Sequence, residues 1–399
     1  MRTSSTYRYD EEGNRRRVAE LRLRGVEVWG PERVYIDPEV PLDRVEPGAI
    51  LIQARVHGQR CYISSGSVIG TSGTAVLENS QIGEGAELGA GSYCGATLLA
   101  GAKVRGFAEI RPGTLVEEEA EVAHNVGLKN TIFTVAVVAG SNINFCDAFV
   151  TGGTSRQDHS EIGSGAVHFN FSPQRDKFGS LFGDATGVLL RSTRIFIGGN
   201  SGIVAPVTIA FGAVIPAGMV VRSDVAARQV HSSSEVGGGN AVDRGLRRKL
   251  LSTAKLVGNL HALALWYRDV RSSGTSESEG ILFEAAAEQI HANIAHRVRE
   301  VDGTLGRIPI NLRNDEESNH WRKEQQYIIT RRDDIQRKLT QVPSMQVPKV
   351  FLDEYKSLRA GRTHIASLRA LSDSAASLAM HWLTEVAVYT ELAIHELLD

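Results

Sequence analysis

Aliphatic residues recur at every sixth position from 197 to 221, as Ile197, Ile203, Ile209, Ile215 and Val221. An α-helix repeats its buried face about every 3.6 residues and a strand about every 2. Neither element can bury a six-residue series. A chain that coils as a triangular prism can: each short flat face uses about six residues and turns one aliphatic side chain inward. Gly198, Gly212 and Gly218, with Ala205, Ala213 and Ala217, supply small residues for the tight places. The period therefore predicts a parallel β-helix built of hexapeptide repeats.

Two earlier series keep the same period: Ile82, Leu88 and Cys94, then Ile110, Val116, Val122 and Leu128. On this reading Cys94 points inward as a small core residue. Residues 140–193 break the pattern, as loops thrown out of a rigid coil would, and such loops commonly carry binding and chemistry. Before the repeats, residues 15–25 read as a short helix stopped by Gly25. After them, 231–243 reads as a linker, and 244–268, 276–300, 316–340 and 349–397 have helical spacing, separated by Pro309, Pro343 and Pro348. The expected organisation is an N-terminal lead-in over 1–60, a β-helix over 61–230, the linker, and an α-helical bundle over 244–399.

Composition agrees with a turn-rich solenoid: 399 residues hold 40 glycines and only 6% aromatics. A net charge of −2 gives no global field for nucleic acid or a membrane surface. Three cysteines without metal-like spacing, no signal peptide and no membrane-length apolar run lead to the expectation of a cytoplasmic protein.

Four segments in order carry a resemblance. RRVAELRLRGVEVWGPERVYID (16–37), FAEIRPGTLVEEEAEVAHNVGLKN (107–130), AVHFNFSPQRDK (166–177) and IFIGGNSGIVAPVTI (195–209) resemble the acetyltransferase half of the bifunctional N-acetylglucosamine-1-phosphate uridyltransferase / glucosamine-1-phosphate acetyltransferase family. The resemblance spans about 16–226 and implies a left-handed β-helix, a homotrimer with clefts between subunits, and acetyl-CoA as acyl donor. Nothing before residue 60 resembles that family's nucleotidyltransferase half, and the C-terminal helices have no counterpart in it.

The resemblance implies that Arg111 and Lys129 hold the substrate's phosphate. Their separation of eighteen, three sixes, stacks them on one face, where a guanidinium and an ammonium suit a sugar phosphate or diphosphate. The alternative is a solvated pair on the exterior. Asn170 and Phe171 match the family's Asn-Tyr pair near the transferred acetyl group, with the phenol hydroxyl missing, and Lys177 matches the loop lysine that reaches the acceptor's phosphate. Asn144 lies in the same altered segment and is expected to contact substrate. On the donor side, Gly199 and Ala217 stand at small-residue positions where a pantetheine arm would pass, and Arg222 could meet the cofactor's phosphates.

The departure is the proton acceptor. The family has a His where this chain has Phe145, and phenylalanine takes no proton. His159 and His168 lie in the reworked segment, so either is a candidate replacement, with Asp147 or Asp158 to orient it. A zinc site from His124, His159 and His168 lacks ligand-like spacing, so no metal is expected. His291 and His296, five apart on a helix, read as packing or surface residues. The expected function is a CoA-dependent N-acyltransferase acting on an amino-sugar phosphate or nucleotide-linked amino sugar. The alternative is a non-catalytic or non-acyl binder of UDP-sugar or sugar phosphate on the same fold.

Overall fold

The computed structural model describes residues 10–172, 175–232, 245–307 and 319–399, with the backbone alone at 319–322. Most of the expected linker, 231–243, lies outside the described residues, as does the start of the helical segment expected at 316–340. The remainder is a left-handed β-helix with α-helices laid against it. Strands of two to four residues form three parallel sheets. The first runs from Glu27–Val28 to Val214–Ile215, the second from Val34–Ile36 to Val220–Val221, and the third from Tyr62–Ile63 to Thr208–Ile209. The first two sheets hold ten strands each and the third eight, one per turn, so stacked coils satisfy one another's backbone groups.

The sixfold series is the inner column. Ile197, Ile203, Ile209, Ile215 and Val221 are all buried, as are Ile82, Leu88, Ile110, Val116, Val122 and Leu128. One inward assignment is corrected. The step from Leu88 to the next inward residue is five, so Tyr93 enters the core and Cys94 turns outward, half-buried. The coiling also starts earlier than residue 61, because residues 27–57 already pair with the coils that follow. α1 (Glu11–Leu23) caps the open end through Val18 and Leu21; Asp10 caps its first turn and Gly25, at φ 90°, ends it.

Among the described residues the other helices are α2 (Leu246–Leu265, continued by a π turn at Trp266–Arg271), α3 (Glu277–Arg307), α4 (Asn319–Thr330), α5 (Arg332–Thr340), α6 (Lys349–Arg359), α7 (His364–Ala370) and α8 (Asp373–Leu398). They cover the outer face of the third sheet. Tyr62, Leu115, Ile132, Phe149 and Leu181 project outward from that sheet and share one core with the helices. Each such side chain contributes roughly 1.5–3 kcal/mol by leaving water. A buried ionic cluster also joins the helices to the solenoid. Arg271 pairs with Glu118 between the rings of Phe283 and Tyr267, and the Tyr267 hydroxyl donates to Glu117 at 2.6 Å. Burial and the neighbouring Glu118 raise the Glu117 carboxyl, against the pull of Arg271.

α3 fixes how the helices meet the solenoid. It climbs the corner between the second and third sheets. Gln289 accepts from the Gly113 amide at 3.1 Å and donates to Thr97, Asn293 donates to the Gly113 carbonyl at 2.7 Å, and Arg297 reaches Asp147. Four residues of helix rise about 6 Å and one coil about 4.8 Å. Polar residues at i and i+4 therefore meet successive parts of the corner.

Candidate active site

The second sheet presents one outward column along that corner. Ile110 pairs with Leu128, and the Arg111 amide donates to the Leu128 carbonyl at 2.9 Å, so Arg111 lies one coil below Lys129. Lys129 pairs in turn with Cys146. The Arg111 guanidinium bonds the Cys146 sulfur at 3.3 Å through Nη2, while its buried Nε has no hydrogen-bond partner and only a 4.0 Å approach to Glu109. The Lys129 ammonium makes no hydrogen bond or ion pair among the described residues. Both cations act on the same thiol: burial pushes Cys146 up, Arg111 and Lys129 pull it down, and Asp147 adds to the rise. The raised thiol suits an anchor for Arg111 better than a nucleophile.

Asp147 begins the turn out of this column in the left-handed region, at φ 66°, directly above Asn130 at φ 46°. Asn and Asp tolerate that conformation better than other side chains with a Cβ. Asp147 is buried and its carboxylate is crowded. It accepts from Asn130 at 3.1 Å, from Asn170 on the next coil, from Arg297 and, at 3.2 Å, from His296 Nε2. Burial alone would raise the carboxyl. The His296 hydrogen bond, the Arg297 charge and the Asn170 amide outweigh it and hold the group well below the ordinary carboxylate range.

Asn170 therefore belongs to the corner, held by Asp147. The loop behind it folds back through a Phe171–Lys177 bridge, with Phe171 exposed. Two helices hold this loop: Lys249 of α2 pairs with Asp176 at 2.8 Å, and Arg307 of α3 donates to the Arg175 carbonyl at 2.9 Å. Asn144 is exposed on the second sheet, two residues from Cys146 on the same face.

The two expected proton acceptors both lie away from this outward column. His168 points inward, between Phe145 and Phe182, with ring centroids 5.6 and 5.9 Å away. Its Nδ1 meets the Cys146 carbonyl at 2.6 Å and its Nε2 the Ser180 hydroxyl at 2.8 Å. Burial pulls it down to about 4, against the Cys146 carbonyl and Asp147. It is a structural imidazole with both nitrogens occupied. His159 lies in the loop between the third and first sheets, at another corner, with Nδ1 on the Arg156 carbonyl at 2.8 Å. Its neighbour Asp158 pairs with Arg194, and Asp147 faces α3 instead. Phe145 is itself a core residue.

Gly199 and Ala217 stack at the corner between the first and second sheets, where the Gly218 amide donates to the Gly199 carbonyl at 2.8 Å. Arg222 is exposed beyond the last strand of the second sheet, and its carbonyl accepts from Arg248. The three donor-side candidates thus divide between two corners. His124, His159 and His168 do not converge, and among the described residues no group of three or more His, Cys, Asp or Glu is arranged to hold a metal. A separate cleft of about 800 Å³ opens between the third-to-first corner and the helices. Its wall carries Glu46, Glu84, Glu118, Glu119 and Glu279 against Arg359 and Arg362, a poor match for phosphate.

Sequence reasoning missed His296 and Arg297. Their signal was slight: a His-Arg pair in an otherwise ordinary amphipathic helix.

A hexapeptide β-helix with two stacked cations beside an Asp–Asn pair defines the class: a solenoid with a polar, cationic corner. Part of the chain is similar to characterised proteins. The chain is 27% identical over 214 residues to the bifunctional protein GlmU of Listeria monocytogenes serotype 4a (strain HCC23), covering 53% of this chain and 42% of that protein. It is 32% identical over 202 residues to the bifunctional protein GlmU of Nitratidesulfovibrio vulgaris (strain DP4), covering 50% and 40%. The chain thus spans about two-fifths of the length of the curated relatives it matches. No protein-family model matches it. Among the described residues no helix is long and apolar enough to cross a membrane.

Proposed function

We propose that the chain is a CoA-dependent N-acyltransferase whose acceptor is an amino-sugar phosphate or a nucleotide-linked amino sugar. The observation that carries this reading is the Arg111–Lys129 stack. It puts an unpaired ammonium and an unsatisfied guanidinium nitrogen one coil apart, next to the Asp147–Asn170 pair, in the half of the chain that is similar to GlmU. Two fixed cations in that spacing favour a phosphate or diphosphate. Asn170 offers an amide to the reacting carbonyl, and Phe171 and Lys177 stand beside it on the acceptor side. Acetyl-CoA is the natural donor to test, and its pantetheine arm would pass the small residues Gly199 and Ala217. A homotrimer would bring that corner of one subunit toward the cationic corner of the next, joining the divided candidates.

The test is thiol release from acetyl-CoA in the presence of glucosamine 1-phosphate or UDP-linked amino sugars. Lys129→Ala and Arg111→Ala should each raise KM for the acceptor at least tenfold, a loss of about 1.4 kcal/mol or more. Acceptor KM values unchanged in both variants would remove the clamp from the reading. A second reading, a sugar-phosphate binder without acyl transfer, is favoured by Phe145 standing where the family has its His. It predicts tight UDP-sugar or sugar-phosphate binding with no thiol release.

A further inference from the structure

We infer that the proton acceptor of this site is His296, delivered to the solenoid by the appended helical region; the inference rests on the acyltransferase reading above. Neither histidine of the reworked solenoid segment serves. His168 is sealed in the core with both nitrogens bonded, and His159 faces another corner. His296 instead projects from α3 onto the Asp147 corner, and its side chain keeps 16% of its surface exposed.

The geometry gives it a defined state. The carboxylate of Asp147 can only accept, so the 3.2 Å contact puts a proton on Nε2, and in the neutral ring the lone pair then falls on Nδ1. Asp147 is itself fixed by Asn130, Asn170 and Arg297, so the ring is aimed by a carboxylate that stays charged. Nδ1 faces Glu300 Oε1 at 3.9 Å, beyond hydrogen-bond range. Two acceptors held that far apart are matched by a donor with more than one hydrogen, and a primary amine is such a donor. The same corner carries Lys129, whose carbonyl accepts the Asp147 amide at 2.9 Å, with Arg111 one coil below. A molecule with a phosphate at one end and a primary amine at the other fits this arrangement.

The step balances. The amine nitrogen attacks the carbonyl carbon of the acyl thioester, the C–N bond forms and the C–S bond breaks. The proton lost by nitrogen passes to His296 Nδ1 and then to the departing thiolate, so the products are an amide and free coenzyme A thiol. Asp147 and Arg297 act as positioning residues.

The experiment compares wild type, His296→Gln and the control His291→Gln with acetyl-CoA and glucosamine 1-phosphate. Loss of a general base should lower kcat by about 10²–10⁴-fold. KM for both substrates should stay within about threefold, the thermal midpoint should not move, and His291→Gln should behave as wild type. A purely structural His296 would shift the midpoint or KM and spare kcat; that result, or an undiminished kcat, overturns the inference. A second readout does not need turnover. In protein labelled with ¹⁵N-histidine, glucosamine 1-phosphate should shift the His296 ring signals, and Lys129→Ala should abolish the shift. Binding with unmoved His296 signals rejects His296 alone. Absent thiol release with a clear shift rejects the transferase reading and the proton transfer with it, leaving His296 as a contact of the bound amine, and absence of both rejects the site as well.

Discussion

Replacing Asp147 with Asn should loosen the helical region from the solenoid. Asp147 and Arg297 are both almost fully buried, and Arg297 has two further nitrogens, Nε and Nη1, without hydrogen-bond partners. The carboxylate is thus the charge that makes burying this guanidinium tolerable. Asn keeps the shape and one acceptor oxygen but leaves the cation uncompensated, and breaking a buried pair from one side costs about 3–5 kcal/mol. Replacing Arg297 with Met should cost a comparable amount, because the carboxylate is then stranded with only His296 and the two amides.

The double variant should cost clearly less than the sum, with a coupling of about 1–3 kcal/mol, since the second change removes the group the first left unpaired. Urea unfolding followed by tryptophan fluorescence reads this directly, because Trp266 and Trp382 are buried among the helices. The sign of the pH dependence follows from the depressed carboxyl. Its folded value lies below the unfolded one, so its stabilisation is complete above about pH 4 and is lost as pH falls through the folded value. The deficit of Asp147→Asn should therefore be constant through neutrality and shrink only in strong acid. A cost under about 1 kcal/mol, or strict additivity in the double variant, would refute the reasoning.

Two further outcomes are expected. His168 is held down to about 4 by burial, so between about 6.5 and 4 the unfolded chain binds a proton that the native one does not. Wild type should lose up to about 1.4 kcal/mol per pH unit as pH falls through that window, opposed by the raised Glu117 carboxyl, and His168→Phe should lack this component in pH-dependent urea titrations. Gly179→Ala would place a Cβ 2.6 Å from Leu256 and 2.7 Å from the Asp147 carbonyl, so it should destabilise by about 1–3 kcal/mol in the same assay; a neutral result would mean the helices are not seated there.

The prism was legible because one geometric rule governs most of its residues. A six-residue step turns one side chain of each face inward, whatever the neighbours, and the rule slips wherever a coil is shorter than eighteen residues, as at Tyr93, Phe133 and Val150. The same step placed Arg111 under Lys129, since eighteen residues make one full turn. It could also have exposed the fate of His168, which pairs with Ile203 on an inward column. That registration was hidden because irregular stretches on either side of the strand Ser180–Phe182 interrupt the count between the two residues. The covering of the third sheet had a signal too: Tyr62, Leu115, Ile132, Phe149 and Leu181 are large apolar residues at outward positions. An outward apolar column on one face demands a partner.

The joining of Asp147 to His296 and Arg297 was not legible, and the reason is physical. Within the solenoid, contacts follow from a fixed period, but a helix set along a corner adds two free variables, its height and its rotation. Neither is encoded by hydrophobic spacing alone, which says only that α3 has a buried stripe. What sets the height is the polar ladder of Gln289, Asn293 and Arg297, one rung every four residues, against Gly113 and Asp147 two coils higher. Each rung satisfies a buried group that would otherwise cost about 1–3 kcal/mol, so sliding the helix by one turn would leave several unmet at once. The same ladder that registers the helix also carries His296 to the cationic corner. Docking and site assembly are therefore one event here, and a change that shifts α3 by a few ångströms should disable the corner while leaving the solenoid intact.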